Sequence, residues 1–394
     1  MKSFYNYAFA LLVVSSSARA NCDDVRERLS ASLSGDITLD LAGDVDCPIL
    51  DDNNLEEFVV EGGTLTFTGP STTKFTNLMF TVMDGAGLIF DFDMTEFGPN
   101  LGYEYEDDYG GYMVEVMSGA SLEFTGEMTA TGLGNMRSVF YNEADGSIEF
   151  ASNAVFEDIG TSVFRLNYGR LRFYGDATFT NIPYIAIDNN GGTVRINGDA
   201  LFTNIGYAFN GNSGGAFGNF NGGTAIFRGL STFDDNECDE SGGAVLNGQD
   251  SKMTFYKKAS FYDNRCKNGN GGAVDNRGEL KFRGAVNMTG NQAVETGGGI
   301  ATHLGGTTTF YGWTTIQSNF VQLTGGGMSV FSESAVEFLK PSRVDVSLNY
   351  KTEYDPDANV AQAETGCNQI YVDETSQLIG YEVEDVCDES VYEG

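Results

Sequence analysis

Asp234, Asp235, Glu237, Asp263, Arg265 and Lys267 place carboxylates and cations at matching points of two similar stretches, Phe233-Asp234-Asp235-Asn236-Glu237 and Phe261-Tyr262-Asp263-Asn264-Arg265. Paired carboxylates near a cation can protonate a glycosidic oxygen or remove a sugar proton, and acids beside an Arg or Lys base can seat the calcium of a lyase. Such chemistry would require the two stretches to meet in space. Charges at turns are usually solvated surface groups, so solvent-facing corners are the preferred reading. His303 is the only histidine, in Ile300-Ala301-Thr302-His303 ahead of Gly305-Gly306. With no second group identifiable beside it, it reads as a turn or surface residue rather than a general base. Trp313 lies beside Thr314 and reads as a local packing residue rather than a sugar-stacking ring.

The six cysteines, Cys22, Cys47, Cys238, Cys266, Cys367 and Cys387, lack the compact CxxC spacing of a zinc or iron centre. Three local disulfides, pairing them in chain order, are the economical expectation. No cofactor is implied. Acidic runs at Glu104, Glu106, Asp107 and Asp108, and at Asp355, Asp357, Glu364, Glu382, Glu384, Asp385, Asp388 and Glu389, lack the ordered spacing of an EF-hand. They would support at most weak, distributed calcium association. Asn287-Met288-Thr289 is an N-glycosylation sequon, with Asn287 expected to point outward between inward-facing Val286 and Met288.

The 394 residues carry 22 Lys plus Arg against 56 Asp plus Glu, a formal charge of -34, which argues against a nucleic-acid partner because phosphate contacts need positive charge. Lys2, the apolar run Tyr7 to Val14 and Ala18-Arg19-Ala20 make residues 1–20 an expected secretory signal. No later apolar run is long enough to suggest transmembrane insertion. The mature chain is therefore expected to be secreted or held at the extracellular cell surface.

What must position these residues is a repeat. Ser147-Ile148-Glu149-Phe150 returns as Arg170-Leu171-Arg172-Phe173, Thr193-Val194-Arg195-Ile196, Thr224-Ala225-Ile226-Phe227, Lys252-Met253-Thr254-Phe255, Glu279-Leu280-Lys281-Phe282, Thr307-Thr308-Thr309-Phe310 and Ala335-Val336-Glu337-Phe338. Alternation of period two marks each as a strand. Four residues beyond the closing Phe comes a mostly small residue, such as Ala154, Ala177 or Ala259, and six beyond comes a large one, such as Phe156, Phe179 or Phe261. Repeats stacked in this register would fill a narrow interior with columns of like side chains. Corner residues return in phase: Asn181, Asn204, Asn236, Asn264, Asn291 and Asn319, then Gly214-Gly215-Ala216, Gly242-Gly243-Ala244, Gly271-Gly272-Ala273, Gly298-Gly299-Ile300 and Gly326-Gly327-Met328. Asn tolerates left-handed dihedrals and Gly permits tight turns. The glycine pairs lack the strand-to-helix setting and the lysine of a phosphate loop.

The pattern predicts an all-β chain, a right-handed parallel β-helix with terminal caps. Its handedness follows the general crossover preference. The expected organisation is a signal peptide over 1–20, a cap and first strand over 21–60, a parallel β-helix of ten or eleven coils over 61–349, and an acidic cap or tail over 350–394. Cys238 and Cys266, each two residues past a corner Asn, should be neighbours one coil apart and within disulfide reach.

The corners Phe233-Asp234-Asp235-Asn236 and Phe261-Tyr262-Asp263-Asn264, with Gly-Gly-Ala-Val at 242–245 and 271–274, resemble the repeats of chlamydial polymorphic outer-membrane protein passengers. The resemblance covers roughly residues 210–330, more weakly back toward 120, and implies a right-handed β-helix on a cell surface with an adhesive role. This chain lacks room for the membrane barrel of that family. Other parallel β-helices are carbohydrate-active, but the corner charges do not reproduce the Asn-Thr-Asp, Asp-Asp, Gly-His-Gly and Arg-x-Lys set of polygalacturonases, nor the Asp-Pro-His-Asp set of alginate epimerases.

The leading expectation is thus a structural or adhesion protein presenting a repetitive face to extracellular polysaccharide, matrix or a cell-surface protein. That face would carry the outward residues at 147, 149, 170, 172, 193, 195, 252, 254, 279 and 281. A polysaccharide lyase, hydrolase or epimerase is the alternative. An ice-binding protein, suggested by Thr64-Leu65-Thr66 and Thr307-Thr308-Thr309, is a weaker one.

Overall fold

The computed structural model describes the chain from Tyr112 to Glu353, apart from residues 133–137, 208–213 and 341–342, together with stretches between Cys22 and Gly98 and between Gln362 and Cys387. The expected signal segment, Cys367 and the acidic loop at 104–108 lie outside the described residues, as do the acidic positions 355, 357, 382, 384, 385, 388 and 389. The architecture is a right-handed parallel β-solenoid. Three sheets, of 13, 12 and 13 strands, run the length of the stack, and every neighbour within them is parallel. Successive strands visit the first, second and third sheet in turn; Ser147–Phe150, Ala154–Glu157 and Ser162–Asn167 make one coil. Among the described residues no helix is long and apolar enough to cross a membrane.

Strand alternation determines what faces inward. Strands such as Arg170–Phe173 and Lys252–Phe255 bury their second and fourth residues and leave the first and third at the surface. Because each first-sheet strand pairs with its equivalent one coil away without a register shift, like residues stack. Phe227, Phe255 and Phe282 occupy one interior column with ring centroids 4.6 and 5.1 Å apart. The second column, Phe156, Phe179, Phe202, Phe233 and Phe261, repeats at 5.0, 4.8, 4.8 and 5.0 Å. Offset stacking at the strand spacing contributes about 0.5–1.5 kcal/mol per pair beyond area burial.

The stack runs further than the repeat suggests. The first sheet opens at Ile37–Asp40 and closes at Gln377–Ile379, so thirteen coils contribute to it. Ile370–Val372 and Gln377–Ile379, inside the expected cap, pair in parallel with Met328–Val330 and Ala335–Glu337 as a further rung. At the other end Cys22 and Val25 are helical and buried, and Cys22 is disulfide-bonded to Cys47.

The corner asparagines divide into two kinds, which corrects the single reading of them as left-handed turn residues. Asn181 and Asn204 do adopt φ of 56° and 54°. In later coils the left-handed residue is the preceding one, Asp235, Asp263, Gly290 or Ser318. This frees Asn236, Asn264, Asn291, Asn319 and Asn349 to turn inward as a buried ladder, each Nδ2 donating to the next Oδ1 at 2.8 or 2.9 Å. A second ladder, Asn142, Asn167, Asn189, Asn219, Asn247 and Asn276, links the coils at the end of the third sheet at 2.7 or 2.8 Å.

The glycine corners also align one residue differently from the sequence reading. Val274 pairs with Ile300, which in turn pairs with Met328, so Gly299 and Gly327 match Ala273, and Gly297 and Gly325 match Gly271. Gly271 takes φ of +67°, and a Cβ on Gly272 would lie 2.1 Å from the carbonyl oxygen of Gly298 in the next coil. The first glycine provides a dihedral and the second permits close approach of two coils.

Candidate functional site

From Glu237 onward each coil adds a short excursion. Glu237–Cys238, Arg265–Cys266, Gln292–Ala293, Phe320–Val321 and Tyr350–Glu353, with Gln362–Glu364 added antiparallel, form a fourth, outer sheet. In the same coils every residue of third-sheet strands Val245–Asn247, Val274–Asn276 and Ile300–Thr302 is buried, so a second, covered layer exists outside the main core. Leu246, Asp275 and Ala301 are register equivalents there. A carboxylate thus occupies a column otherwise apolar at its neighbours.

Asp275 is wholly buried and both its oxygens are engaged. Arg277 Nη2 donates to Oδ2 at 2.9 Å, and His303 Nε2 lies 2.6 Å from Oδ1. The same Arg277 Nη2 donates to Ser241 Oγ at 2.7 Å, and the imidazole stacks on Phe331 with centroids 4.7 Å apart. Arg277 Nε is 3.2 Å from His303 Nε2. One imidazole nitrogen cannot donate to Asp275 and accept from Arg277 at once, so the short contact to the carboxylate assigns the proton to Nε2. Burial alone would push the Asp275 carboxyl up, but hydrogen bonding and charge from His303 and Arg277 outweigh it and hold the group below the ordinary carboxylate range. His303 is therefore a buried member of an ionic network, not the surface residue expected from its place before a glycine pair. Its ring lies between Arg277 and Phe331, the residues that follow the third-sheet strands of the coils on either side.

Arg277 alone of the three reaches outward, its side chain 27% exposed. It lines a shallow depression of about 430 Å³ together with Lys252, Glu279, Gln249 and Thr307. Such a surface can hold a polar ligand by charge and hydrogen bonds.

The predicted corner charges do stack. Asp234 lies opposite Tyr262 in the second sheet, and Asp235 and Asp263 are the left-handed residues of successive coils. Burial, then the charges of Asp263 and Asp235, raises the Asp234 carboxyl above its ordinary value. Glu237 is paired with Lys267, while Arg265 and Asp263 are exposed. The cluster is a surface turn with one ion pair, and among the described residues no group of three or more His, Cys, Asp or Glu could hold a metal ion.

Cys238 and Cys266 are register neighbours, with Ala293 and Val321 continuing their column. Both are buried thiols, their Sγ atoms 2.8 Å apart and not bonded, where the sequence predicts a disulfide. Stacking brings the sulfurs together, but a bond also requires two hydrogens to be lost to an oxidant. Burial, then the adjoining Cys266, pushes the Cys238 thiol well above its ordinary value, so it is not a poised nucleophile. The strand of Cys387 is described, but Cys367 is not.

Asn287 points outward and is half-buried, its Nδ2 donating to Tyr262 Oη at 3.2 Å. Trp313, expected to pack locally, is instead 59% exposed, with Arg343 5.1 Å above its ring centroid. The adjoining Thr314 takes the inward position, and alternation puts its neighbour outside. The outward column containing Thr64 and Thr307 also holds Gly87, Ser121, Ser147, Arg170, Lys252 and Glu279, so no flat threonine array forms.

No protein-family model matches the chain, nor does any curated protein or solved structure. The likeness to chlamydial passenger repeats accordingly extends to the parallel-solenoid architecture and no further.

Proposed function

We propose that the chain is a binding scaffold of the cell exterior, a structural or adhesion protein that presents repeated side chains to a surface. The observation that carries this reading is the unbroken register of the first sheet. Its thirteen strands set outward columns along about 58 Å at the usual strand spacing. Their side chains support one another across coils, as in the pairs Arg172 with Glu149 at 3.4 Å and Lys252 with Glu279 at 3.9 Å. A stiff periodic face suits weak contacts repeated many times, whose combined strength exceeds any one of them. The corner acids favour catalysis less, since Asp235 and Asp263 lie exposed at turns.

The test is retention of the purified chain on a panel of cells, matrix proteins and extracellular polysaccharides, run beside a glycan-turnover assay. Retention on at least one surface class without turnover is expected. Turnover, or no retention on any class, would overturn the scaffold reading.

An exterior location is supported by the Cys22 to Cys47 disulfide, since such bonds persist in oxidising compartments. In the same compartment the Cys238 and Cys266 thiols are expected to pass two protons and two electrons to the local oxidant and become linked. Alkylation of protein taken directly from its source, followed by peptide mass spectrometry, should find positions 238 and 266 joined. Two alkylated thiols there would argue against an oxidising location.

A further inference from the structure

Between the first and second sheets each coil turns a short corner, and five successive corners differ from the rest of the molecule. They follow Phe227, Phe255, Phe282, Phe310 and Phe338, and read Arg228-Gly229-Leu230, Tyr256-Lys257-Lys258, Arg283-Gly284-Ala285, Tyr311-Gly312-Trp313 and Leu339-Lys340-Pro341-Ser342-Arg343. They hold six basic residues, three aromatics and no acid, in a chain whose formal charge is -34. The preceding corners carry acids with a structural task. Asp93, Asp176 and Asp199 each accept the backbone amide of the next coil, from Glu127 at 2.9 Å, Asp199 at 2.7 Å and Leu230 at 2.8 Å. At Leu230 that device stops, and the basic stretch begins.

The stretch is ordered as a ladder. Backbone amides of Tyr256, Arg283 and Tyr311 each donate to the coil before, which makes Arg228, Tyr256, Arg283 and Tyr311 vertical neighbours. Arg228 lies 5.8 Å from the Tyr256 ring centroid, and Arg283 lies 5.4 Å from Tyr256 and 5.3 Å from Tyr311. Arg343 over Trp313 extends the arrangement. Arg228, Lys257, Lys258, Arg283, Lys340 and Arg343 are all exposed, and none forms an ion pair with an acid among the described residues. Rings hold the guanidinium groups in place without neutralising them.

We infer that this edge is a binding site for a linear acidic polysaccharide lying along the solenoid axis. The inference rests on the scaffold reading and names its ligand. Guanidinium forks match carboxylate or sulfate groups, and exposed rings such as Trp313 match the C–H faces of pyranose units. The edge advances by one strand spacing per coil, about 19 Å over the five corners, which offers a polymer repeated contacts at sugar-like intervals. The acidic remainder of the chain is screened beyond about 8 Å, so a glycan confined to the five corners meets the local positive patch.

The full chain should be immobilised and offered polygalacturonate, heparin, dextran and oligo-dT over a range of salt. Retention of polygalacturonate or heparin, weakening as salt rises, with dextran and oligo-dT bound less, is expected. The two acidic arms separate carboxylate from sulfate recognition. A Tyr256→Ala/Arg283→Ala/Trp313→Ala variant with an unchanged melting temperature should lose roughly tenfold or more in affinity. Arg283→Lys, which keeps the charge and removes the fork, should lose less. Arg165→Ala on the third sheet, outside both the corners and the first-sheet face, should retain the wild-type affinity. Undiminished binding by the triple variant, or tighter binding of oligo-dT, would overturn the assignment. A wild-type chain that holds cells or matrix but neither acidic glycan would also overturn it while leaving the scaffold reading in place.

Discussion

Asp275→Ala is expected to lower folding stability by about 3–5 kcal/mol, because it leaves two cationic or polar partners facing each other in a dry layer. Asp275 is wholly buried, and its oxygens accept from Arg277 at 2.9 Å and meet His303 Nε2 at 2.6 Å. Removing the carboxylate costs more than the network contributes as a whole. The triple variant Asp275→Ala/Arg277→Ala/His303→Ala should therefore recover part of the loss, consistent with the apolar equivalents Leu246 and Ala301 in neighbouring coils. The pH dependence has a definite sign. His303 and Arg277 hold the folded carboxyl below its unfolded value despite the opposing burial, so the unfolded chain binds the proton more readily. The stabilisation is complete above the unfolded carboxyl value of about 3.9 and is lost as pH falls through the folded one. Thermal melts across a pH series should show Asp275→Asn less stable near neutrality and flatter below about pH 4 than the parent chain. Equal acid sensitivity in the two proteins would contradict this account.

Asn264→Ala should cost a comparable amount, about 3–5 kcal/mol, by orphaning several buried groups at once. Its Nδ2 donates to the Phe233 carbonyl at 3.1 Å and to Asn291 Oδ1 at 2.8 Å, while its Oδ1 accepts from the backbone and side-chain nitrogens of Asn236 at 3.1 and 2.9 Å. Aspartate at this position is no remedy. It retains the acceptor but would set a carboxylate against Phe233 O and Asn291 Oδ1, so Asn264→Asp should be at least as damaging. The left-handed Asn181, only part-buried where it bonds its neighbour, should lose about 1 kcal/mol on replacement by alanine. In a stack whose units contact only their neighbours, damage should also be local. Hydrogen exchange is therefore the informative measurement, and the Asn236 amide should lose protection in Asn264→Ala while amides near Phe150 keep theirs. Uniform loss along the stack would refute a local ladder role.

The interior columns were legible because in a solenoid the residues that touch are the residues that correspond. Phe227, Phe255 and Phe282 recur at the end of each alternating stretch, so their spacing along the chain already states their contact. The Asn236-to-Asn349 ladder was visible as a periodic residue but not as a buried one. Its inward turn depends on the preceding residue taking the left-handed dihedral. The other ladder stayed hidden, since Asn142, Asn167, Asn189, Asn219, Asn247 and Asn276 precede the next first-sheet strand by gaps that vary from coil to coil. The Arg228, Tyr256, Arg283, Tyr311 edge did leave a signal, the residue directly after each closing Phe. Its alternation of cation and ring gains meaning only when those positions become vertical neighbours.

Sequence by itself thus determined the strand alternation, the coil-to-coil register and the columns of like side chains, because period-two burial and one-coil stacking are both repeated in the chain. Tertiary structure alone decided that the excursions after Glu237 cover the third sheet, and so that Asp275, Arg277, His303 and Ser241 meet in a buried network. Arg277 and His303 follow the register partners Asn276 and Thr302, so stacking of the third sheet brings both beside Asp275, while Ser241 arrives from the excursion. The physical reason the network stayed hidden is that period-two alternation assigns these outward positions to solvent, and whether a further layer covers them is not written in that alternation.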